Sequence, residues 1–333
     1  MSLKIFGLNG SKAFAAEVAR YLALPLSRHI ERDFEDSEMY ARADENVRNS
    51  DVYVLHSLYG DDNMSAGEKL SSLAFFCGSL RDASASRVNV VCPYLAYARQ
   101  DRKTESRAPI ATKYVAQMLE AMGVSRLLTM DVHNLAAFQN AFRIPTDNLE
   151  AKLLFIDYLM RQKDLPDNLA VLSPDSGGLP RARRFRESLE KHLCKLNQIG
   201  LANLDKERDT GTGKLRGDKI IGDVKDKDVI IIDDMIASGS TIRKAADAIV
   251  AHGGRVYAVI ATHGLFIGSD AGDNMAGIPR IIIADTVPPF RLASPEIDAD
   301  IRNNVNMIGT AELFAKAIRR NHDGDSISEL LES

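Results

Sequence analysis

Short runs of apolar residues alternate along the chain with segments in which apolar residues recur every three or four positions. The runs predict buried strands, and the segments predict amphipathic helices. The predicted strands are Lys4 to Leu8, Val52 to Ser57, Val88 to Cys92, Leu127 to Asp131, Ala170 to Asp175, Val229 to Asp233, Val256 to Thr262, Ile281 to Ala284 and Val305 to Ile308. The predicted helices are Ser11 to Leu22, Ala66 to Leu80, Pro109 to Met122, Leu179 to His192, Thr241 to His252 and Thr310 to Arg319. This alternation is typical of an α/β fold with mostly parallel sheets flanked by helices.

The length favours two domains, since 333 residues exceed the ~250 to 300 at which one core stops growing. The segment from Arg143 to Ala151 contains Pro, Asp and Asn, which interrupt both the strand pattern and the helix pattern. It is the predicted link between the two domains. We expect an N-terminal domain over residues 1–148 and a C-terminal domain over 149–308. A helix over 309–320 is expected to join the N-terminal domain, and residues 321–333 read as a polar tail.

Composition and charge exclude several classes of protein. The net charge of −4 argues against nucleic-acid binding driven by bulk electrostatics. No stretch reaches the ~18 apolar residues of a membrane helix, and the N-terminus has no signal-peptide pattern. The three cysteines form no CxxC pair, so neither zinc nor a disulfide framework is indicated. We expect a cytoplasmic protein without nucleic-acid or membrane partners.

The first chemical candidate is the stretch "VIIIDDMIASGST", which ends an apolar strand. Ligands of open α/β sheets bind outside the carboxyl ends of strands. Asp233 and Asp234 are able to meet ribose hydroxyls or a magnesium ion. The loop of Ala237, Ser238, Gly239, Ser240 and Thr241 offers N–H groups and small hydroxyls to a phosphate. Alternatively, an acid ends the strand and Ser240 or Thr241 caps the next helix.

A second candidate, "SPDSGG", also follows a predicted strand. Its residues Asp175, Ser176, Gly177 and Gly178 suit an anion, because glycines let backbone N–H groups approach closely, and Asp175 could hold a bridging metal. The alternative is a tight turn. The arginines from 181 to 186 that follow read as a solvated helix face.

The third and fourth candidates lie in the N-terminal half. Asp131 and His133 stand two apart at a strand end, where both could reach one ion, although a lone histidine is more often hydrogen-bonded in an ordinary way. Basic residues crowd the segment from Arg99 to Arg107 beside Tyr94 and Tyr97. Such density suits a triphosphate and an adenine ring, and the alternative is an exposed charged loop.

The fifth candidate is the Gly-rich, charged segment over residues 203–224. Loops of this length are usually linkers or active-site lids. Its "GTGK" is not a P-loop, because Leu215 follows Lys214 where Ser or Thr is required.

In this order, "FEDSE", "YARQDRK", "SRAPI", "SPDSGG", "DDM" and "THG" resemble the ribose-phosphate pyrophosphokinases, also called phosphoribosyl pyrophosphate synthetases. The resemblance spans nearly the whole chain, and "DDM" with its small loop is shared with phosphoribosyltransferases generally. It implies two phosphoribosyltransferase-like domains, an ATP side and a ribose 5-phosphate side, in a homo-oligomer that is a hexamer or a dimer. It also implies transfer of pyrophosphate from ATP to ribose 5-phosphate with Mg²⁺, giving AMP.

The resemblance also assigns residues. It implies ATP contacts at Arg99, Gln100 and Asp101, and at Asp36, Ser37 and Glu38 reaching from a neighbouring subunit. It implies metal contacts at His133, Asp131 and Asp175, and a pyrophosphate loop at 175–178. It implies a catalytic Lys206 and Arg208 on a mobile lid, with Arg208 also facing the sugar phosphate. Asp233 and Asp234 would hold ribose hydroxyls, and 237–241 the 5-phosphate.

Three positions depart from the family pattern. Ala237 and Ser238 replace the usual Asp and Thr, Arg143 stands where some members have a metal-binding acid, and Ser37 replaces a glycine. They leave open a non-catalytic regulatory relative, for which the loss of Lys206, His133 or Asp175 would have been the sign. A phosphoribosyltransferase would not explain the basic segment from Arg99 to Arg107.

Overall fold

A computed structural model describes residues 1–208, 215–293 and 297–332. Within these ranges, the side chains of residues 206–208, 215–218, 331 and 332 lie outside the description. The chain divides into two compact units. Unit 1 comprises Met1–Glu150 and Thr310–Ser333, and unit 2 comprises Ala151–Gly309.

Strands and helices alternate along both units. The strands are β1 Leu3–Gly7, β2 His29–Asp33, β3 Met39–Ala43, β4 Asp51–Leu55, β5 Arg87–Cys92, β6 Arg126–Met130, β7 Thr146–Leu149, β8 Leu169–Ser173, β9 Gly200–Arg208, β10 Leu215–Ile221, β11 Asp228–Ile236, β12 Arg255–Gly264, β13 Ile281–Ala284 and β14 Val305–Ile308. The helices are α1 Lys12–Tyr21, α2 Ala66–Asp82, α3 Ala111–Ala121, α4 Leu135–Ala141, α5 Lys152–Met160, α6 Leu179–Leu193, α7 Ser240–Ala251, α8 Ala271–Met275, α9 Ala299–Asn304, α10 Ala311–Asp323 and α11 Glu329–Glu332. A 3-10 helix spans Phe290–Ala293.

Unit 1 is built on a five-stranded parallel sheet in the order β1-β4-β5-β6-β7. All five residues of β4 are buried, because a parallel sheet covered on both faces leaves neither side of a central strand to solvent. Strands β2 and β3 form a separate antiparallel hairpin. The core of the unit includes Phe6, Leu73 and Phe76.

The chain returns to unit 1 through α10. Phe314 on this helix packs edge-to-face against Phe14 of α1, with ring centroids 5.6 Å apart. At the far end of α10, Nδ1 of His322 lies 2.7 Å from a carboxylate oxygen of Asp51, which is fully buried. The last long helix is therefore part of the core and of the polar network of unit 1.

Unit 2 has a seven-stranded sheet in the order β10-β9-β8-β11-β12-β13-β14, in which only the β9–β10 pair is antiparallel. Both neighbours of β11 run parallel to it, so the carboxyl ends of β8, β11 and β12 share one edge of the sheet. This arrangement confirms the predicted α/β fold with mostly parallel sheets flanked by helices.

Two local expectations differ from the structure. Pro109 does not lie in the first turn of its helix, because α3 begins at Ala111 and Ile110 is the N-cap residue. The segment 203–224, read as a linker or lid loop, belongs largely to β9 and β10 over its described residues. None of the helices in the described ranges is long and apolar enough to span a membrane.

Candidate functional site

Asp233 and Asp234 lie near the carboxyl end of β11, three and two residues before the strand ends at Ile236. The side chain of Asp234 is 4% exposed and that of Asp233 is 18% exposed. The backbone N–H of Asp234 donates to Oδ1 of Asp233 over 2.8 Å. The strand continues past both acids, so they do not simply terminate it.

Arg181 bridges these two acids. Its Nη1 lies 3.4 Å from Oδ1 of Asp233 and 3.4 Å from Oδ1 of Asp234. Burial, and then the neighbouring Asp234, raise the pKa of Asp233 well above its ordinary value, and the charge of Arg181 opposes that rise. The expected solvated helix face is wrong for Arg181, whose side chain is 20% exposed.

Helix α7 begins at Ser240, so the segment 237–241 comprises the loop before the helix and its first two residues. Its N-cap residue is Gly239, at φ +80°, which is a conformation that glycine adopts without strain. No side chain caps the helix, so the alternative role of Ser240 or Thr241 as a cap is not observed. Ser238 Oγ donates to Ser240 Oγ over 3.2 Å. The loop thus presents small side chains at a helix N-terminus, as phosphate binding requires.

Helix α8 holds this loop from one side. The Asn274 side-chain amide donates to the carbonyl of Ser238 over 2.9 Å. Nε of Arg243, from α7, donates to the Asn274 carbonyl over 3.1 Å. A Cβ added to Gly239 would come within 2.5 Å of Met275 Cε. Sequence reasoning missed Asn274 and Arg243, because neither belongs to a motif.

The "SPDSGG" turn is a closed loop that leads into α6. Asp175 Oδ1 accepts from the N–H of Gly178 over 2.7 Å, and Ser173 Oγ donates to the Asp175 carbonyl over 2.7 Å. A Cβ on Gly178 would lie 2.4 Å from Ser173 Oγ, so only glycine fits there. Ser176 and Gly177 are exposed. Because β8 and β11 are adjacent and parallel, this turn and the acid pair lie at the same edge of the sheet.

In unit 1, the strand end that carries Asp131 and His133 is linked to the segment that carries Arg99, Gln100 and Asp101. Asp131 follows β6 directly at φ +40°, and His133 is exposed. Asn134 caps α4 through its side-chain oxygen and donates through Nδ2 to Asp101 Oδ2 over 2.8 Å. The structure therefore joins the strand end that carries Asp131 and His133 to the basic segment.

Arg99 and Gln100 are exposed on a loop that is hydrogen-bonded to the start of α3. The Thr112 hydroxyl lies 2.9 Å from the carbonyl of Tyr97 and 3.2 Å from that of Gln100. Tyr97 has a φ of +64° and packs against the core of unit 1. The loop is thus exposed and charged but locally anchored.

A cavity of about 290 Å³ lies beside this loop, between α3 and α4. Its lining includes Asp101, Lys113, Glu120 and Arg143. Arg143 Nη1 donates to the carbonyl of Asn140 over 3.1 Å. At the position where some family members carry an acid, this chain therefore has a cation bonded to the end of α4.

The hairpin formed by β2 and β3 carries Asp36, Ser37 and Glu38 at its exposed tip. The N–H of Glu38 donates to Asp36 Oδ1 over 3.2 Å. Ser37 has a φ of +69°, in the left-handed region that glycine tolerates best. The usual glycine of the family suits this turn better than the serine found here.

Lys206 and Arg208 lie on β9, where they pair in register with Asp218 and Leu215 of β10. Their side chains are outside the described part of the chain. Their catalytic role therefore stays a prediction from the sequence.

Among the described residues, no three His, Cys, Asp or Glu side chains are grouped to hold a metal ion. The metal-binding residues predicted from the sequence are Asp131 and His133 in unit 1 and Asp175 in unit 2. Mg²⁺ usually keeps several waters and is bound by one or two carboxylates plus substrate phosphates. Such sparse carboxylates fit an ion held mainly by a phosphate-bearing substrate.

Comparison with known proteins matches the whole chain to one family. Residues 3–123 match the model of the N-terminal domain of ribose phosphate pyrophosphokinase. Residues 148–273 match the phosphoribosyl transferase domain, and residues 215–332 match the phosphoribosyl synthetase-associated domain.

Individual relatives agree with these matches. A ribose-phosphate pyrophosphokinase of Caulobacter vibrioides is 36% identical over 99% of this chain and 100% of its own length. Ribose-phosphate pyrophosphokinase 1 of Streptococcus agalactiae is 37% identical over 99% of this chain and 97% of its own. The crystal structure of phosphoribosylpyrophosphate synthetase from Mycobacterium smegmatis aligns with a TM-score of 0.83 and 28% identity, covering 97% of this chain and 100% of that one.

Proposed function

The chain belongs to the ribose-phosphate pyrophosphokinase family, and we propose that it transfers the pyrophosphoryl group of ATP to the anomeric hydroxyl of ribose 5-phosphate. The products are 5-phosphoribosyl 1-pyrophosphate, a precursor for nucleotide biosynthesis, and AMP. The observation that carries the proposal is the edge of unit 2. There, an acid pair near the end of β11, a small-residue loop opening α7 and a glycine turn opening α6 lie at the ends of adjacent parallel strands.

These three features match the parts of a sugar phosphate. Asp233 and Asp234 accept hydrogen bonds from the ribose hydroxyls through their carboxyl oxygens. The N–H groups of the loop 237–241 bind the 5-phosphate at the N-terminus of α7, where the helix dipole favours an anion. The turn 175–178 binds the transferred pyrophosphoryl group by its backbone.

Unit 1 supplies the nucleotide contacts in this proposal. Arg99 and Gln100 bind ATP from their anchored loop, while Asp36, Ser37 and Glu38 act from a neighbouring subunit. Mg²⁺ bound with substrate phosphates would be contacted by Asp131 and His133 in unit 1 and, separately, by Asp175 in unit 2, and would neutralise phosphate charge when bound. A homo-oligomer and a cytoplasmic location complete the proposal, and both remain predictions from the sequence.

The anomeric oxygen attacks the β-phosphorus of ATP. The bond between the β-phosphorus and the oxygen that bridges it to the α-phosphorus breaks, and that oxygen leaves with AMP. Catalysis of such a transfer consists mostly of positioning and charge stabilisation. The acid pair and the phosphate loop orient the sugar at two points, so that its anomeric hydroxyl is directed at the phosphorus. Lys206 and Arg208 stabilise the negative charge on the transferring group.

The test is to incubate the purified protein with ATP, ribose 5-phosphate and Mg²⁺ and to identify the nucleotide formed. We expect AMP in a one-to-one ratio with the sugar pyrophosphate. ADP would indicate ordinary kinase chemistry instead. No nucleotide turnover, with ribose 5-phosphate still bound, would favour a non-catalytic regulatory subunit.

A further inference from the structure

Arg181 contacts both members of the acid pair, Asp233 and Asp234. It lies in the first turn of α6, directly after the glycine turn that follows β8. Since β8 is the parallel neighbour of β11, a side chain from the start of α6 reaches across to the end of β11. One nitrogen of its guanidinium contacts both carboxylates at 3.4 Å.

The acid pair needs such a cation for electrostatic reasons. Two carboxylates on consecutive residues repel each other, and withdrawal from water adds a desolvation cost for each charge. Asp234 is almost fully buried, so solvent relieves little of this cost. A cation placed between the two oxygens lowers the energy of the doubly ionised state.

We propose that Arg181 is a positioning residue for the sugar, whose guanidinium holds the carboxyl groups of Asp233 and Asp234 in place to accept hydrogen bonds from two neighbouring ribose hydroxyls. The inference rests on the proposed function and adds a residue and a source of sugar specificity to it. A guanidinium has no acceptor atom, so Arg181 does not compete with the carboxylates for the hydroxyl protons. A carboxyl that carries a proton would lose acceptor capacity toward the diol.

Three variants separate this role from a general structural one. Arg181→Ala removes the cation, and Arg181→Lys keeps a positive charge near both acids. Arg183→Ala is the matched control, because Arg183 is exposed on the same helix. Thermal unfolding of each variant establishes that it is folded before its kinetics are compared.

For Arg181→Ala, we expect the KM for ribose 5-phosphate to rise about 10- to 100-fold, as expected when a charge-assisted contact is lost. The KM for ATP should change less than about threefold. We also expect a lower preference for ribose 5-phosphate over 2-deoxyribose 5-phosphate, measured as a ratio of kcat/KM values. The reason is that misplaced acids form weaker hydrogen bonds with the ribose hydroxyls. Arg181→Lys should recover much of the loss, and Arg183→Ala should match the wild type.

Equal increases in both KM values, an unchanged sugar preference, or a lysine variant no better than alanine would overturn the inference. Calorimetric binding of ribose 5-phosphate alone gives a second measurement, with the same expected order of affinities. Because this binding measurement does not require turnover, it tests the role of Arg181 separately from the proposed function. A wild type that makes no AMP would contradict the proposed function. The order of sugar affinities among the variants would still decide the role of Arg181.

Discussion

The side-chain amide of Asn274 donates a hydrogen bond to the carbonyl oxygen of Ser238 over 2.9 Å, which ties α8 to the loop that opens α7. Loss of one neutral hydrogen bond costs about 0.5 to 1.5 kcal/mol, or roughly a 2- to 13-fold change in an equilibrium. We therefore predict that Asn274→Ala raises the KM for ribose 5-phosphate by about that factor, while the KM for ATP stays unchanged. Steady-state kinetics with each substrate varied in turn measure both values.

Asn168→Ala provides the control for this variant. Asn168 also donates its amide to a carbonyl within unit 2, that of Asp226 at 2.8 Å, but it precedes β8 at the opposite edge of the sheet. If both variants raised the KM for ribose 5-phosphate equally, the loop would not depend on Asn274.

We predict that His322→Ala destabilises unit 1. Asp51 is fully buried and accepts hydrogen bonds from Arg87 Nε at 2.9 Å, Asn89 Nδ2 at 2.8 Å and His322 Nδ1 at 2.7 Å. Removing one donor from a buried carboxylate costs about 1 to 3 kcal/mol. Circular dichroism during heating should show a lower Tm for this variant.

His252→Ala serves for comparison, because the Nδ1 of His252 donates only to a carbonyl of its own helix, and the residue is exposed. A Tm for His322→Ala as high as that of His252→Ala would show that the Asp51 contact adds no net stability.

His56 makes the stability of unit 1 depend on pH. Burial lowers the pKa of His56 from 6.5 to about 4. Between these values the unfolded chain binds a proton that the folded chain does not, so stability falls as the pH drops from about 6.5 to about 4. The contribution is about 3 kcal/mol at its largest.

In His56→Gln, position 56 no longer binds a proton when the chain unfolds. We expect the free energy of unfolding, measured by denaturant at pH 7 and at pH 4.5, to differ less in the variant than in the wild type. The same difference in both proteins would mean that His56 does not stay neutral in the folded chain.

Lys206→Ala tests the catalytic prediction that rests on sequence alone. Loss of one group that stabilises transition-state charge lowers kcat by a factor on the order of 10² to 10³. We expect that loss with an unchanged Tm and retained binding of ribose 5-phosphate. Lys219→Ala, an exposed position on β10, should keep wild-type turnover. Turnover of Lys206→Ala near the wild-type rate would rule out its assigned role.

Periodicity was sufficient to predict the parts of the fold that are buried on both faces. The strand Ile281–Ala284, whose four residues are all buried, has the bounds of the apolar run that predicted it. The hairpin of β2 and β3 escaped prediction because its residues, such as Glu31 and Arg32, are polar and outside the main sheet. Its strands are defined by pairing with each other, which a hydrophobic pattern does not record.

The sequence pattern did not reveal the contacts of two cations. Lys69 on α2 is fully buried, since its ammonium lies 2.5 Å from Asp61 Oδ2 and 3.6 Å from the ring centroid of Tyr59. Arg181 likewise faces an acid pair 52 residues away in sequence. The partners of Lys69 lie 8 and 10 residues earlier in the chain, and those of Arg181 lie 52 and 53 residues later. Such pairings are visible only once the fold is known.

The divided sequence of unit 1 sets an order of events during synthesis. Residues 151–309 must be translated before α10, which takes roughly 10 to 30 seconds at ~5 to 20 residues per second. During that interval Asp51 lacks the imidazole of His322, and α1 lacks the ring of Phe314. On the ribosome, unit 2 therefore has its complete sequence before unit 1 does, although unit 1 is begun first.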